Sequence, residues 1–275
     1  MGPLVTTEWL AQQLGAPDLV VFDASFYLPA EQRDADAEFD QAHIPGARRF
    51  DIEQVSDPDT DLPHMVPTPG RFERIVSALG VTNGSRVVFY DQKGISSAPR
   101  GWWMMGLFGH DAAYVLDGGL PKWLAEGRSV ESGVAATPQP GRFTASLRAT
   151  RLRGIGDMMA GGDAVVLDAR APGRFAGAVP EPRAGLPSGH MPGSRNLPFG
   201  TLVRPDGTML DSPALRKAFA GAGVDGTRPV VTSCGSGVTA AVLTLGLVQA
   251  GFDAGALYDG SWTEWAGRPD TLKET

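Results

Sequence analysis

The chain has 275 residues, 42% hydrophobic and 20% charged, with a formal net charge of −7 and one cysteine. The acidic balance argues against nucleic acid or an anionic membrane as main partner, and no run approaches the roughly eighteen uncharged apolar residues of a membrane span. A lone cysteine forms no internal disulfide, no Cys/His cluster has zinc-ligand spacing, and Met1-Gly2-Pro3-Leu4-Val5 lacks the basic stretch and apolar core of a secretory signal. A globular protein of the reducing cytoplasm is expected.

In chain order, a first helix is predicted over Thr7–Leu14, with Thr6 or Thr7 as cap and Glu8 in the first turn. Val20-Val21-Phe22-Asp23 reads as a strand, His43-Ile44-Pro45-Gly46 as a turn, and Arg71–Leu79 as a helix stopped by Gly80. Val87-Val88-Phe89-Tyr90 is a second strand, running into Asp91-Gln92-Lys93-Gly94 and then a helix over Pro99–Phe108. The stretch from Gly127 to Thr150 is rich in Gly, Pro, Ser and Thr and reads as a strap between domains. Beyond it come a strand at Val165-Val166-Leu167-Asp168, a turn at His190-Met191-Pro192-Gly193, a helix over Ser212–Ala222 and an apolar run, Pro229–Ser233.

The second half repeats the first. Asp23 matches Asp168, His43 matches His190, Asp91 matches Cys234, and Asp117 of Asp117-Gly118-Gly119 matches Asp259 of Asp259-Gly260-Ser261, at offsets of 145, 147, 143 and 142 residues. Four landmarks in one order at a nearly constant offset mark a duplicated domain. The expected division is a first domain over 1–128, a linker over 129–150 and a second domain over 151–275. Val-rich runs alternating with amphipathic segments predict an α/β fold, each domain a parallel sheet with helices on both faces. Ligands in such sheets bind beyond the carboxyl ends of the strands.

Cys234 occupies that place in the second copy. It closes a buried strand and opens Gly235-Ser236-Gly237-Val238-Thr239, ahead of a helix from Ala240 to about Ala250. A thiol there faces a helix N-terminus and a crescent of backbone N–H groups, which favours the thiolate, the nucleophilic form. The first copy has Asp91 at the matching position, so that domain is read as non-nucleophilic. His43 and His190 both precede Pro-Gly, and because the motif stands in both copies it reads as a structural turn. Trp102, Trp103, Trp123, Trp262 and Trp265 read as packing residues.

With these motifs in place, the chain resembles the tandem-domain rhodanese superfamily over nearly its whole length. The loop Cys234-Gly235-Ser236-Gly237-Val238-Thr239 is similar to that of its 3-mercaptopyruvate sulfurtransferase branch. His190-Met191-Pro192-Gly193, Asp259-Gly260-Ser261-Trp262, Ser97-Ala98-Pro99-Arg100 and Asp117-Gly118-Gly119-Leu120 support the match. Thiosulfate-using relatives place cations directly after the cysteine, as Cys-Arg-Lys-Gly, where this chain has Gly235 and Ser236. The resemblance implies sulfur transfer from 3-mercaptopyruvate through a Cys234 persulfide to a thioredoxin-like protein, a small thiol or cyanide, with release of pyruvate and no cofactor or metal. A thiosulfate:cyanide sulfurtransferase of the same fold is the alternative. By resemblance, Arg174 and Arg183 grip the substrate's carboxylate and keto group, and Gly235, Gly237, Val238 and Thr239 form the binding loop. By the same resemblance Ser236 works with His64 and Asp51 of the first domain as a proton relay; Arg100 and Lys93 are candidate secondary substrate contacts from their place in the first domain. A cysteine phosphatase is disfavoured, because its Cys-x5-Arg loop would need arginine where Ala240 stands.

Overall fold

The computed structural model describes residues 2–275. Each half of the sequence builds a five-stranded sheet in which every pairing is parallel. The first contains β1 (Leu4–Val5), β2 (Leu19–Asp23), β3 (Arg48–Arg49), β4 (Arg86–Tyr90) and β5 (Ala113–Leu116) in the order β1-β5-β4-β2-β3. The second contains β6 (Leu152–Arg153), β7 (Val165–Asp168), β8 (Arg195–Asn196), β9 (Val230–Ser233) and β10 (Ala256–Tyr258) in the same order, β6-β10-β9-β7-β8. The register repeats as well: Val21 pairs with Val88 in the first sheet and Val166 with Val231 in the second.

All four residues of β9 are buried, so both faces of this strand are covered, as the continuous Val-Val-Thr-Ser run requires. The helix that follows, Ala240–Ala250, is buried along almost its entire length, which is why it reads as uniformly apolar rather than as a stripe. Trp262 is fully buried against Met191, Val231 and Tyr258, and its Nε1 donates to Pro187 O at 3.0 Å. In the first unit Trp123 sits with Val21, Val88 and Leu116, and its Nε1 donates to Ser129 O at 2.8 Å. An indole buried with its N–H satisfied is a packing element.

The helices begin where the caps dictate. Thr6 Oγ1 accepts from Trp9 N–H ahead of Thr7–Gln13, and Thr68 and Asp211 cap Pro69–Ala78 and Ser212–Gly221. The second of these starts earlier than the apolar pattern suggests, because Pro69 at the first helical position needs no hydrogen-bond acceptor. Among the described residues no helix is long and apolar enough to cross a membrane.

The chain divides into two compact units that do not follow the order of the sequence strictly. The first takes the chain up to Ser56, then Pro67–Arg148 and Pro205–Met209; the second takes Asp57–Val66, Ala149–Arg204 and Leu210–Thr275. Most of the stretch expected to link the domains lies with the first unit, where Phe143 is buried, Ser146 N–H donates to Phe108 O and Arg148 N–H to Leu107 O. Each unit also receives a short strap from the other half of the sequence, 57–66 in one case and 205–209 in the other.

Candidate active site

Cys234 follows β9 directly, is 2% exposed and is a free thiol. Its carbonyl accepts from Trp262 N–H at 3.0 Å, and its own N–H donates to Ser261 Oγ at 3.1 Å. Ser261 holds a left-handed backbone (φ 50°) and donates its hydroxyl to Tyr258 O at 2.8 Å. A non-glycine residue in that conformation costs about 1 kcal/mol or more, and its position beneath the cysteine is consistent with a constrained site. Past the thiol, the N–H groups of Gly235, Ser236, Val238 and Thr239 find no acceptor among the described residues. They and the start of the Ala240–Ala250 helix form an open amide cradle, suited to an anion.

Two arginines stand over that loop. A Cβ on Gly235 would lie 3.0 Å from Nη2 of Arg174 and 4.0 Å from Nη1 of Arg183, so a side chain at 235 would press on the Arg174 guanidinium and come into ordinary contact with that of Arg183. Arg174 follows β7 in the short helix Pro172–Phe175. Its Nε and Nη2 donate to Glu181 at 3.1 and 2.5 Å, so one edge of the fork is already engaged and the remaining N–H groups of Nη1 and Nη2 are left to reach a ligand. Glu181, 3% exposed at its side chain, is held from the other side by Nη1 of fully buried Arg170 at 2.9 Å. Arg170 in turn pairs with Asp168 at 2.6 Å and stacks over the Trp262 ring, 4.5 Å from its centroid. Burial pushes the Asp168 carboxyl up, and its bonds to Arg170 oppose the rise. The sequence reading missed Glu181 and Arg170; the only signal was their place in Asp168-Ala169-Arg170 and Pro180-Glu181-Pro182-Arg183.

Two members of the expected relay meet within the second unit. Ser236, 6% exposed, has its Oγ 2.9 Å from Nδ1 of His64, which is 4% exposed; the tautomer decides which of the two donates. His64 was expected in the first domain, yet it belongs to the second unit. The strap carrying it closes on itself through Asp57 N–H donating to Met65 O and is tied to that unit by Val66 N–H donating to Asp259 Oδ2 at 2.6 Å. Asp51 lies in the first unit and caps the helix Ile52–Val55, its Oδ1 accepting from Glu53 and Gln54 N–H. Lys93 pairs with Glu31 at 2.5 Å and Arg100 is fully buried over Trp103, so both have structural partners within the first unit. His43 and His190 match each other closely: each ring stacks on a phenylalanine (Phe39, Phe175) and places Nδ1 within 2.9 Å of that residue's carbonyl. Among the described residues no group of three or more His, Cys, Asp or Glu could hold a metal ion.

The rhodanese-like domain family matches this chain twice, over residues 6–126 and 155–268. The chain is 41% identical to thiosulfate/3-mercaptopyruvate sulfurtransferase 1, mitochondrial, of Arabidopsis thaliana, over 98% of this chain and 77% of that protein. It is also 41% identical to 3-mercaptopyruvate sulfurtransferase of Homo sapiens, over 95% of this chain and 91% of that one. The crystal structure of SseA from Escherichia coli, described as a 3-mercaptopyruvate sulfotransferase, superposes with a TM-score of 0.86 at 36% identity, covering 95% of this chain and 99% of SseA. With two matched domains, one bearing a cysteine in an open amide loop, the chain belongs to the rhodanese family, in its branch of tandem-domain 3-mercaptopyruvate sulfurtransferases.

Proposed function

We propose that this sulfurtransferase takes sulfur from 3-mercaptopyruvate onto Cys234 and passes it to a thiol or cyanide. The observation that carries the reading is the open cradle behind Cys234 with two arginines over Gly235 and none within the loop. A compact dianion such as thiosulfate calls for cations beside the cysteine. Mercaptopyruvate holds its carboxylate away from the sulfur, where Arg174 and Arg183 can meet it. The names of the relatives, which include both donors, fit a sulfurtransferase of this kind.

The Cys234 thiolate attacks the substrate sulfur, and the new S–S bond forms as the substrate's C–S bond breaks. The electron pair goes to the carbon as the enolate of pyruvate, which the arginines hold through its carboxylate and oxygen. A proton passed through Ser236 and His64 completes pyruvate. The persulfide then rests in the amide cradle until an acceptor thiolate attacks its outer sulfur, giving an acceptor persulfide and restoring the Cys234 thiolate; cyanide gives thiocyanate. A lone cysteine leaves regeneration to an external acceptor, a small thiol or a thioredoxin-like protein, and suits a reducing cytoplasm. Asp51 enters as a helix cap, and its removal is expected to act on stability.

The test is the mass of the chain after incubation with mercaptopyruvate, together with kcat/KM for mercaptopyruvate and thiosulfate. The reading expects one added sulfur atom on Cys234, absent in Cys234→Ser, and higher efficiency with mercaptopyruvate. Sulfur transfer by Cys234→Ser, or higher efficiency with thiosulfate, overturns it.

A further inference from the structure

The motif Asp-Gly-Gly/Ser stands in both copies, and the chemistry above uses neither aspartate. Each nevertheless does the same thing. In the second unit Asp259 Oδ2 accepts from Val66 N–H at 2.6 Å; in the first, Asp117 Oδ1 accepts from Met209 N–H at 2.8 Å. Val66 and Met209 lie 143 residues apart, close to the 142 that separate the aspartates, and each belongs to the strap its unit receives from the other half of the sequence. The straps also match two residues earlier. Gly207 has φ 82°, and His64 has φ 62°. Gly207 lies against the loop after Asp91, since a Cβ on Gly94 would come within 2.8 Å of its Cα; His64 lies against the loop after Cys234, through Ser236.

The strap therefore calls for a left-handed residue over the strand-end loop. Glycine meets that need freely in the first unit, whereas a histidine there is strained by about 1 kcal/mol or more. Strain of this size persists only where the surroundings hold the residue, and Asp259 supplies a hold two residues away.

We infer that Asp259 is the positioning residue of the Ser236–His64 pair: its bond to Val66 N–H keeps the strap seated so that His64 Nδ1 stays on Ser236 Oγ. The inference rests on the reading that this pair moves the proton. A misplacement of about 1 Å is enough to slow a reaction roughly a hundredfold.

The experiment measures pyruvate release from mercaptopyruvate. Asp259→Ala is expected to lower kcat about tenfold to a hundredfold, while Asp259→Asn, whose amide oxygen still accepts from Val66 N–H, retains most of the rate. Asp117→Ala removes the matching bond in the first unit and leaves kcat unchanged. In a His64→Ala background, Asp259→Ala causes no further loss. Losses that multiply in the double variant, equal damage from Asp259→Asn, or an equal fall in Asp117→Ala would overturn the inference. If Asp259→Ala does not fold, Val66→Pro removes the same bond from the donor side and carries the same expectation. An unchanged kcat in His64→Ala would instead refute the proton-relay reading; a slow His64→Ala beside a fast Asp259→Ala refutes the positioning role alone.

Discussion

Asp91 and Cys234 stand at the same point of two copies of one fold, each directly after the central strand of its sheet, and they use the loop that follows in opposite ways. Asp91 turns its carboxylate into its own loop: Oδ2 accepts from Ser96, Ser97 and Ala98 N–H at 2.8–2.9 Å, and Oδ1 from Lys93 N–H at 2.9 Å. The first unit thus fills its cradle with an anion of its own. After Cys234 the N–H groups of Gly235, Ser236, Val238 and Thr239 have no acceptor among the described residues, so the second unit offers them to something else. One scaffold yields a closed loop or an open one according to a single side chain.

Removing the Asp91 carboxylate leaves three buried amides, and the part-buried one of Lys93, to find new partners. Each unsatisfied group costs about 1–3 kcal/mol, less where water enters. Asp91→Ala is expected to lower the stability of the first unit by at least about 2 kcal/mol in denaturant unfolding, with kcat per folded molecule unchanged. Sulfate at millimolar concentration, binding the vacated cradle, should recover part of that loss. A variant as stable as the parent would show that the bonds contribute little.

The Ser236–His64 pair acts as a unit if it carries the proton. Ser236→Ala and His64→Ala are each expected to lower kcat by roughly a hundredfold or more, and the double variant should be little slower than either single one. Single-turnover pyruvate release measures this. Effects that multiply would mean the two residues work separately.

Arg174 has one edge committed to Glu181, so its aim depends on that carboxylate. Arg174→Ala and Arg183→Ala are expected to reduce kcat/KM for mercaptopyruvate about ten- to a hundredfold, the worth of a charge-assisted hydrogen bond, and to affect thiosulfate much less. Glu181→Gln should raise KM for mercaptopyruvate in the same direction and by less. Equal losses with both donors would count against a carboxylate clamp.

Much of this was legible in the sequence, for reasons visible at particular residues. Val20–Asp23 and Val165–Asp168 announce buried parallel strands because both faces of such a strand must be apolar, and the Cys234 loop is marked by glycines at a strand-to-helix junction. The place of His64 was not legible, since the strap is held by a backbone N–H of Val66 on Asp259, and backbone donors leave no trace in residue type. Glu181 looks like a solvated loop residue between two prolines, and only the fold brings Arg170 and Arg174 to its two sides. Asp91 had one signal: it stands where the other copy has its thiol.

His110 gives the first unit a dependence on pH. It is buried, its Nε2 has no hydrogen-bond partner, and burial holds the imidazole below its ordinary 6.5 despite opposing pulls from the Ser85 backbone and Asp111. At pH above 6.5 both folded and unfolded states carry it neutral, so it adds no pH dependence there. Below that value the unfolded chain takes up a proton that the folded unit resists, and stability falls until the pH reaches the lower folded value. His110→Gln should flatten this part of the stability profile in denaturant titrations at successive pH values. An unchanged slope would assign the acid-side loss to other groups.

Gly235 tests the choice of donor most directly. Arg174 occupies the space a side chain would need, its Nη2 3.0 Å from the position of a Cβ, with Arg183 at ordinary contact distance, so the neutral loop and the external cations are two halves of one arrangement. In Gly235→Ala the guanidinium gives way by a few tenths of an ångström, and KM for mercaptopyruvate is expected to rise severalfold with kcat nearly kept. Gly235→Arg would set a third guanidinium against Arg174 and Arg183, and like charges at that range repel. It should lose mercaptopyruvate use by a hundredfold or more without gaining thiosulfate turnover, because the arginines already present must move to admit it. If Gly235→Arg turned over thiosulfate efficiently, the residue after the cysteine alone would select the donor, and the placement of Arg174 and Arg183 would be incidental.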